Sequence, residues 1–152
     1  MMRVFPSIAV VTMLVSGCAQ EPPQAPAPPP FRLVTGIHEV MEGLVAPAAE
    51  IVFKSVGYRA TPEGGIQDIA PRNDVEWEVV EHSALGLAES ANLLMLEGRA
   101  LDQGDWIKMS LDMMDTSIVA AKAAKARDAN AVLEAGEKIF DSCTACHLKY
   151  IQ

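Results

Sequence analysis

Near the end of the chain stands Cys143-Thr144-Ala145-Cys146-His147. Two thiols three positions apart, with an imidazole directly after them, can do redox chemistry, bind a metal or hold a cofactor covalently. On a helix, residues three and four apart share a face. Cys143 and Cys146 would then reach the two vinyl groups on one edge of a porphyrin, and His147 would turn its imidazole toward the iron. Cys-x-x-Cys-His is the attachment pattern of c-type haem. Other uses of these residues fit less well. A thioredoxin-like pair belongs near the start of a helix in a βαβ setting, whereas this pair closes a helical pattern. A structural zinc site needs four ligands, yet outside the motif only His38 and His82 remain among the histidines and no second cysteine pair exists. A disulfide between helical positions i and i+3 is geometrically poor.

The elements that must position this motif read as helices. At about 100° per residue, Ile37, Val40, Met41, Leu44, Ala48, Ile51 and Val52 fall on one side of a helix spanning Leu33 to Ser55. Glu39, Glu42, Glu50 and Lys54 fall on the other, and Pro47 should kink or split the helix. Gly57 to Arg72, with Gly64-Gly65, Pro62 and Pro71, reads as a long connection. Asn73 and Glu76 make a capping box for a second helix from Asp74 to about Leu96. Its stripe is Trp77, Val80, Ala84, Leu87, Ala91 and Met95. Leu96 to Gly104 is a loop. Asp105 is expected to cap a third helix carrying Trp106, Met109, Met113, Ser117, Ala120 and Ala124. Asp128 is expected to cap a fourth, running to Tyr150. The apolar stripe of that helix is Val132, Gly136, Ile139, Phe140, Cys143, Cys146, His147 and Tyr150, while Glu134, Glu137, Lys138 and Asp141 face away. Strand signals are nearly absent. The pattern predicts an all-α fold, an up-down-up-down four-helix bundle with haem near the C-terminal end of the last helix. Gly136 on the stripe suggests a close helix approach, because glycine costs a helix about 1 kcal/mol relative to alanine.

Only five residues follow His147, so a sixth iron ligand must come from upstream. In such a bundle Met41, Met95, Met109, Met113 and His38 lie near the right end. Each methionine can equally be core filling, and His38 sits at the border of its stripe. His82 falls on the solvated side. Phe140 and Trp77 read as haem-wall or core residues.

A helical domain with Cys-x-x-Cys-His close to its C-terminus resembles the class II cytochromes c, the cytochromes c-prime and their low-spin relatives. The resemblance covers about Leu33 to Tyr150. Tyr150 matches the aromatic residue that members often carry after the motif, but Ile151 stands where a basic residue is usual. The resemblance implies a sixth-site residue on the first helix, here Met41, giving low-spin His/Met iron. The alternative is an open site under an apolar group such as Leu44 or Val45, suited to nitric oxide or carbon monoxide. Thioether ligation would favour electron transfer, since it raises the haem potential. A third reading, a haem that serves mainly structure, stays open.

The start of the chain has a different task. Met1 to Arg3 is short and basic, and Val4 to Val15 is an apolar run interrupted by Pro6. The run is too short for a membrane span, which needs about 20 residues, and matches a secretory signal. Val15-Ser16-Gly17-Cys18 resembles the lipobox of bacterial lipoproteins, which implies cleavage before Cys18 and acylation of that residue. Residues 1–17 would then be signal peptide. In that family the residue after the cysteine directs sorting, and Ala19 points to the outer rather than the inner membrane. Gln20 to Pro30 holds six prolines and should run as a semi-rigid stalk of roughly 34 Å. Residues 18–30 thus make a lipidated linker and 31–152 the cytochrome domain, exported and anchored on the periplasmic side.

The formal charge is −8, and loss of Arg3 with the signal would make it −9. That balance argues against nucleic acid as a partner, which normally demands a basic face. A redox partner protein is implied without being identified, and the patterning is compatible with a dimer without requiring one. No serine–histidine–acid set, phosphate loop or metal-hydrolase motif appears, so an enzyme is not expected.

Overall fold

The computed structural model describes residues 31–151. Cys18, the signal segment and the proline-rich linker lie outside the described residues. Four helical segments pack against one another, and most of the described chain is helical.

The first segment is not one regular helix. It consists of a short α1 (Ile37–Val40), one π-helical turn (Met41–Val45) and α2 (Ala46–Ser55). The cause lies in Pro47, in the first turn of α2. Its ring would collide with the carbonyl four residues back, and it has no N–H to donate. Widening the preceding turn moves that carbonyl aside, and the Ala46 N–H bonds to Met41 O, five residues back. The extra residue shifts the register. The buried positions are Val40, Val45, Ala49 and Val52, with a first step of five. Leu44 and Ile51, expected inside on an unbroken wheel, are 49% and 40% exposed. The helix also begins at Ile37 rather than Leu33.

The long connection holds a β-hairpin, β1 (Gly57–Ala60) against β2 (Ile66–Ile69), antiparallel with Gly57 opposite Ile69 and Ala60 opposite Ile66. The near absence of strand signals in the sequence is therefore corrected. The strands are short and mostly exposed, so no inside–outside alternation marks them.

α3 (Asp74–Leu94) starts as expected, with Asn73 Oδ1 accepting the Glu76 N–H at 3.0 Å. Glu76 reaches back to the N–H of Arg72 at 2.7 Å. The helix ends two residues before the expected Leu96. α4 (Asp105–Lys125) is not capped by Asp105, which is its first helical residue. Asp102 does that work, its Oδ1 accepting the N–H groups of Gly104 at 2.8 Å and Trp106 at 3.1 Å. α4 closes with Arg127 in the left-handed region at φ 58°. The Asp128 N–H returns to Ala123 O and the Arg127 N–H to Ala124 O, which satisfies two orphan carbonyls. Asp128 then caps α5 (Ala129–Tyr150), its Oδ1 accepting the Ala131 N–H at 3.0 Å.

The core runs where α3 meets α4 and α4 meets α5. Ala84, Leu87, Ala91, Ala120, Ala124, Val132 and Ile139 are fully sealed there. Alanine on both sides lets helix axes approach closely. Gly136 is buried, yet a Cβ added to it would meet Phe53 Cδ1 at 3.7 Å, an ordinary contact. The close approach expected of it is absent.

Candidate cofactor site

The stripe of α5 changes surroundings after Ile139. Val132, Ala135, Gly136 and Ile139 are buried against neighbouring helices. Phe140 is 60% exposed, Cys143 and Cys146 are half-buried, and His147 is exposed. The stripe keeps its direction but runs out of protein. It lines a cleft of about 980 Å³ facing the π turn and α2, and concave sites of roughly 300–1,000 Å³ hold small molecules and cofactors.

The two walls are chemically distinct. α5 contributes Phe140, Cys143, Cys146 and His147, whereas the π turn and α2 contribute Met41, Val45, Ala49 and Phe53. Met109 and Met113 of α4 also line it. Phe53 meets Phe140 edge-on, with ring centroids 6.2 Å apart. Lining carboxylates come from Glu42 and Glu50, and among the described residues no lysine or arginine lines the cleft.

Burial pushes both thiols up from their ordinary range, Cys143 also through its neighbour Cys146. Both cysteines are free. Thiols held protonated at neutral pH are poor at disulfide exchange, which needs thiolate, so the environment opposes a thioredoxin-like role. Among the described residues no group of three or more His, Cys, Asp and Glu side chains converges as a metal cage. The donor set present is two neutral thiols on one helical face, the following imidazole and a thioether across the cleft, within an apolar lining. That set fits an apolar cofactor attached through sulfur.

The cleft thus gathers Met41, Phe140, Cys143, Cys146 and His147. It does not include Leu44, expected as a pocket residue. The π turn carries Leu44 to the surface and puts Val45 in its place. His38 and His82 are exposed and Met95 and Trp77 are partly buried, all four outside the cleft lining. Val45 is one of the two apolar residues expected over an open site, whereas Phe53 is absent from the sequence reading because of the same register shift. Counted from Val45, residues 49 and 53 recur at i+4 and i+8, a series visible only once the register shift at Pro47 is known.

The turn carrying His147 is tied down beyond the cleft. The Tyr150 hydroxyl donates to Asp102 Oδ2 at 2.5 Å, and its ring lies edge-on to Trp106 with centroids 5.0 Å apart. The Trp106 indole N–H donates to Leu94 O at 2.8 Å. Lys149 pairs with Asp105. Acceptance of the Tyr150 and backbone hydrogen bonds holds the Asp102 carboxyl below its usual range. The same bond pushes the Tyr150 phenol up to about 12.

No family model matches the chain, and no curated protein or solved structure matches it.

Proposed function

We propose that this domain is a c-type cytochrome of the class II kind, an up-down-up-down bundle acting in electron transfer on the periplasmic side of the membrane. The observation that carries the reading is that Cys143, Cys146 and His147 of α5 and Met41 of the π turn line one mostly apolar cleft. In this reading Cys143 and Cys146 would hold haem c through thioethers, and His147 and Met41 would bind its iron. When bound, the haem supplies one-electron redox chemistry. The chain's own residues attach it, keep water from its faces and hold a fixed thioether donor. Val45, Phe53, Phe140, Met109 and Met113 supply the apolar cover. Acylation of Cys18 would anchor the domain to the membrane, the outer one by the identity of Ala19.

The test is expression of the full chain in a host with haem-maturation machinery. Haem staining on a denaturing gel is expected, together with a low-spin ferric spectrum and a methionine–iron charge-transfer band in the red. Met41→Ala should turn the iron high-spin and open it to carbon monoxide. A wild type that is already high-spin and binds gas readily would favour the gas-binding alternative, with Val45 over the iron. Absence of haem stain would remove the cytochrome reading altogether. Mass spectrometry of the mature N-terminal peptide tests acylation at Cys18, and a free amine at a neighbouring residue would refute it.

A further inference from the structure

The two walls of the cleft make few direct contacts, the Phe53–Phe140 pair among them. α2 meets α5 only sparsely, whereas α3–α4 and α4–α5 pack along their lengths. The Met41 segment packs on α3 through α1, the π turn and α2, and a tie nearer the cleft can fix its distance from the His147 turn. The connection between α3 and α4, residues 95–104, touches both sides.

On the first side stands Arg99, 7% exposed. Its Nη2 donates to Thr35 O at 2.9 Å and its Nη1 to Leu93 O at 2.6 Å. Thr35 lies just before α1 and six residues before Met41. Leu93 belongs to the last turn of α3, where orphan carbonyls and the helix dipole favour a cation. Burying a guanidinium without a carboxylate partner is costly, so this tie is specific rather than incidental. Leu33 reinforces it, because a Cβ on Gly98 would stand 2.9 Å from Leu33 Cδ1, and Gly98 has φ +82°. On the second side stands Asp102. Its Oδ1 is committed to the start of α4 and its Oδ2 to the Tyr150 hydroxyl, three residues past His147. Trp106 and the Lys149–Asp105 pair brace the same turn.

We propose that residues 95–104 form a buckle that sets the spacing across the cleft, with Arg99 and Asp102 as positioning residues for the two iron ligands. The proposal rests on the His147/Met41 reading above. Neither residue lines the cleft. Each acts through a neighbour, Arg99 on the backbone leading to Met41 and Asp102 on the turn that carries His147. Loosening either tie lets the walls move apart, and the strain falls on the weakest link across the cleft, the thioether donor.

Two measurements on the mature haem-loaded chain test this. One is amide hydrogen exchange at residues 37–41 and 147–151. The other is the imidazole concentration that displaces the methionine band. Tyr150→Phe should speed exchange at 147–151 by about fivefold, the size of one net hydrogen bond, and lower the displacing concentration by a similar factor. Asp102→Asn keeps an acceptor for α4, so it should act like Tyr150→Phe, and the double variant should add little to either. Arg99→Lys should speed exchange at 37–41 and leave 147–151 alone, while also lowering the displacing concentration. Asn73→Ala, which removes a cap at the start of α3, is the control and should change neither reading. Displacement equal in Tyr150→Phe, Arg99→Lys and wild type would overturn the buckle. So would Asn73→Ala weakening the band as much as they do, since the effect would then be general stability. A wild type that stains for haem but lacks the band overturns the ligand reading beneath it, and that is visible before any variant is made.

Discussion

α5 carries one apolar stripe through two unlike regions. From Val132 to Ile139 the stripe is sealed by α4 and its neighbours, and from Phe140 to His147 it faces a cleft. The residue types of the first half are aliphatic or small, and those of the second can bond to something. A hydrophobic period shows which face a helix turns inward. It does not show what covers that face, and the second half is where a cofactor can stand in for missing protein. The first half should therefore behave as ordinary core and the second as binding surface.

The widest separation between the halves comes from the thiols. Cys143→Ala with Cys146→Ala should abolish haem staining entirely, because no other cysteine among the described residues lies on the cleft. The helices should persist, since Cys143 only packs against the edge of the sealed core and is not one of its buried members, and far-ultraviolet circular dichroism reads this directly. The variant chain should melt at a lower temperature than the haem-loaded wild type, because a group bound only to the folded state stabilises it. Equal melting temperatures would mean that the second half is closed without the cofactor.

In that haem-free background the neighbours Ile139 and Phe140 make the sharpest local contrast. Ile139 is fully buried and Phe140 is 60% exposed. Ile139→Ala should cost about 2–5 kcal/mol, whereas Phe140→Ala should stay within about 0.5 kcal/mol, by urea unfolding. With haem attached, Phe140→Ala should cost more, as its ring then has something to cover. Equal costs for Phe140→Ala in both backgrounds would break the distinction between the two halves.

Much of this is legible in the sequence alone. The caps at Asn73 and Asp128 and the stripes of α3 and α4 follow from local chemistry that acts within one turn. So does the shared face of Cys143, Cys146 and His147. What escaped falls into two physical classes. The π turn breaks the assumption of a constant period, so that Val45 and Ala49 are buried where Leu44 and Ala48 are expected, although Val52 is buried as expected, and Phe53 goes unread. The ties from Arg99 to Thr35 and from Asp102 to Tyr150 join residues 64 and 48 positions apart, and nothing in either neighbourhood announces the other. The hairpin was missed because short exposed strands carry no period to read.

A smaller effect is expected at Gly136, in the sealed half. Since an added Cβ there meets only Phe53 Cδ1 at van der Waals distance, Gly136→Ala should gain about 0.5–1 kcal/mol from helix propensity and a less free unfolded chain. Chemical denaturation of the haem-loaded protein measures it. A loss of stability instead would show that Phe53 cannot give way, and that the glycine serves close packing after all.

The smallest effect is one of pH, and it belongs to the second half. The Tyr150 phenol, whose folded value is pushed up to about 12 chiefly by its hydrogen bond to Asp102, ordinarily titrates near 10.0. A raised value means that the bond contributes fully below the unfolded pKa, and that the contribution fades as pH climbs from about 10 toward 12. Asp102 is displaced the other way, below its ordinary 3.8, through the same hydroxyl and the N–H groups of Trp106 and Gly104. Its share is complete above the unfolded carboxylate value and is lost as pH falls through the lowered one. Lys149 and Asp105 face the same turn, and the hydrogen bond to that carboxylate holds the Lys149 ammonium above its usual range. The stability difference between wild type and Tyr150→Phe should thus be flat from mildly acidic pH to about 9. It should shrink toward both extremes, on the alkaline side between about 10 and 12. Unfolding midpoints across that range measure the difference. A gap that persists unchanged at pH 12 would mean that Tyr150 contributes through its ring on Trp106 and that its hydroxyl holds nothing.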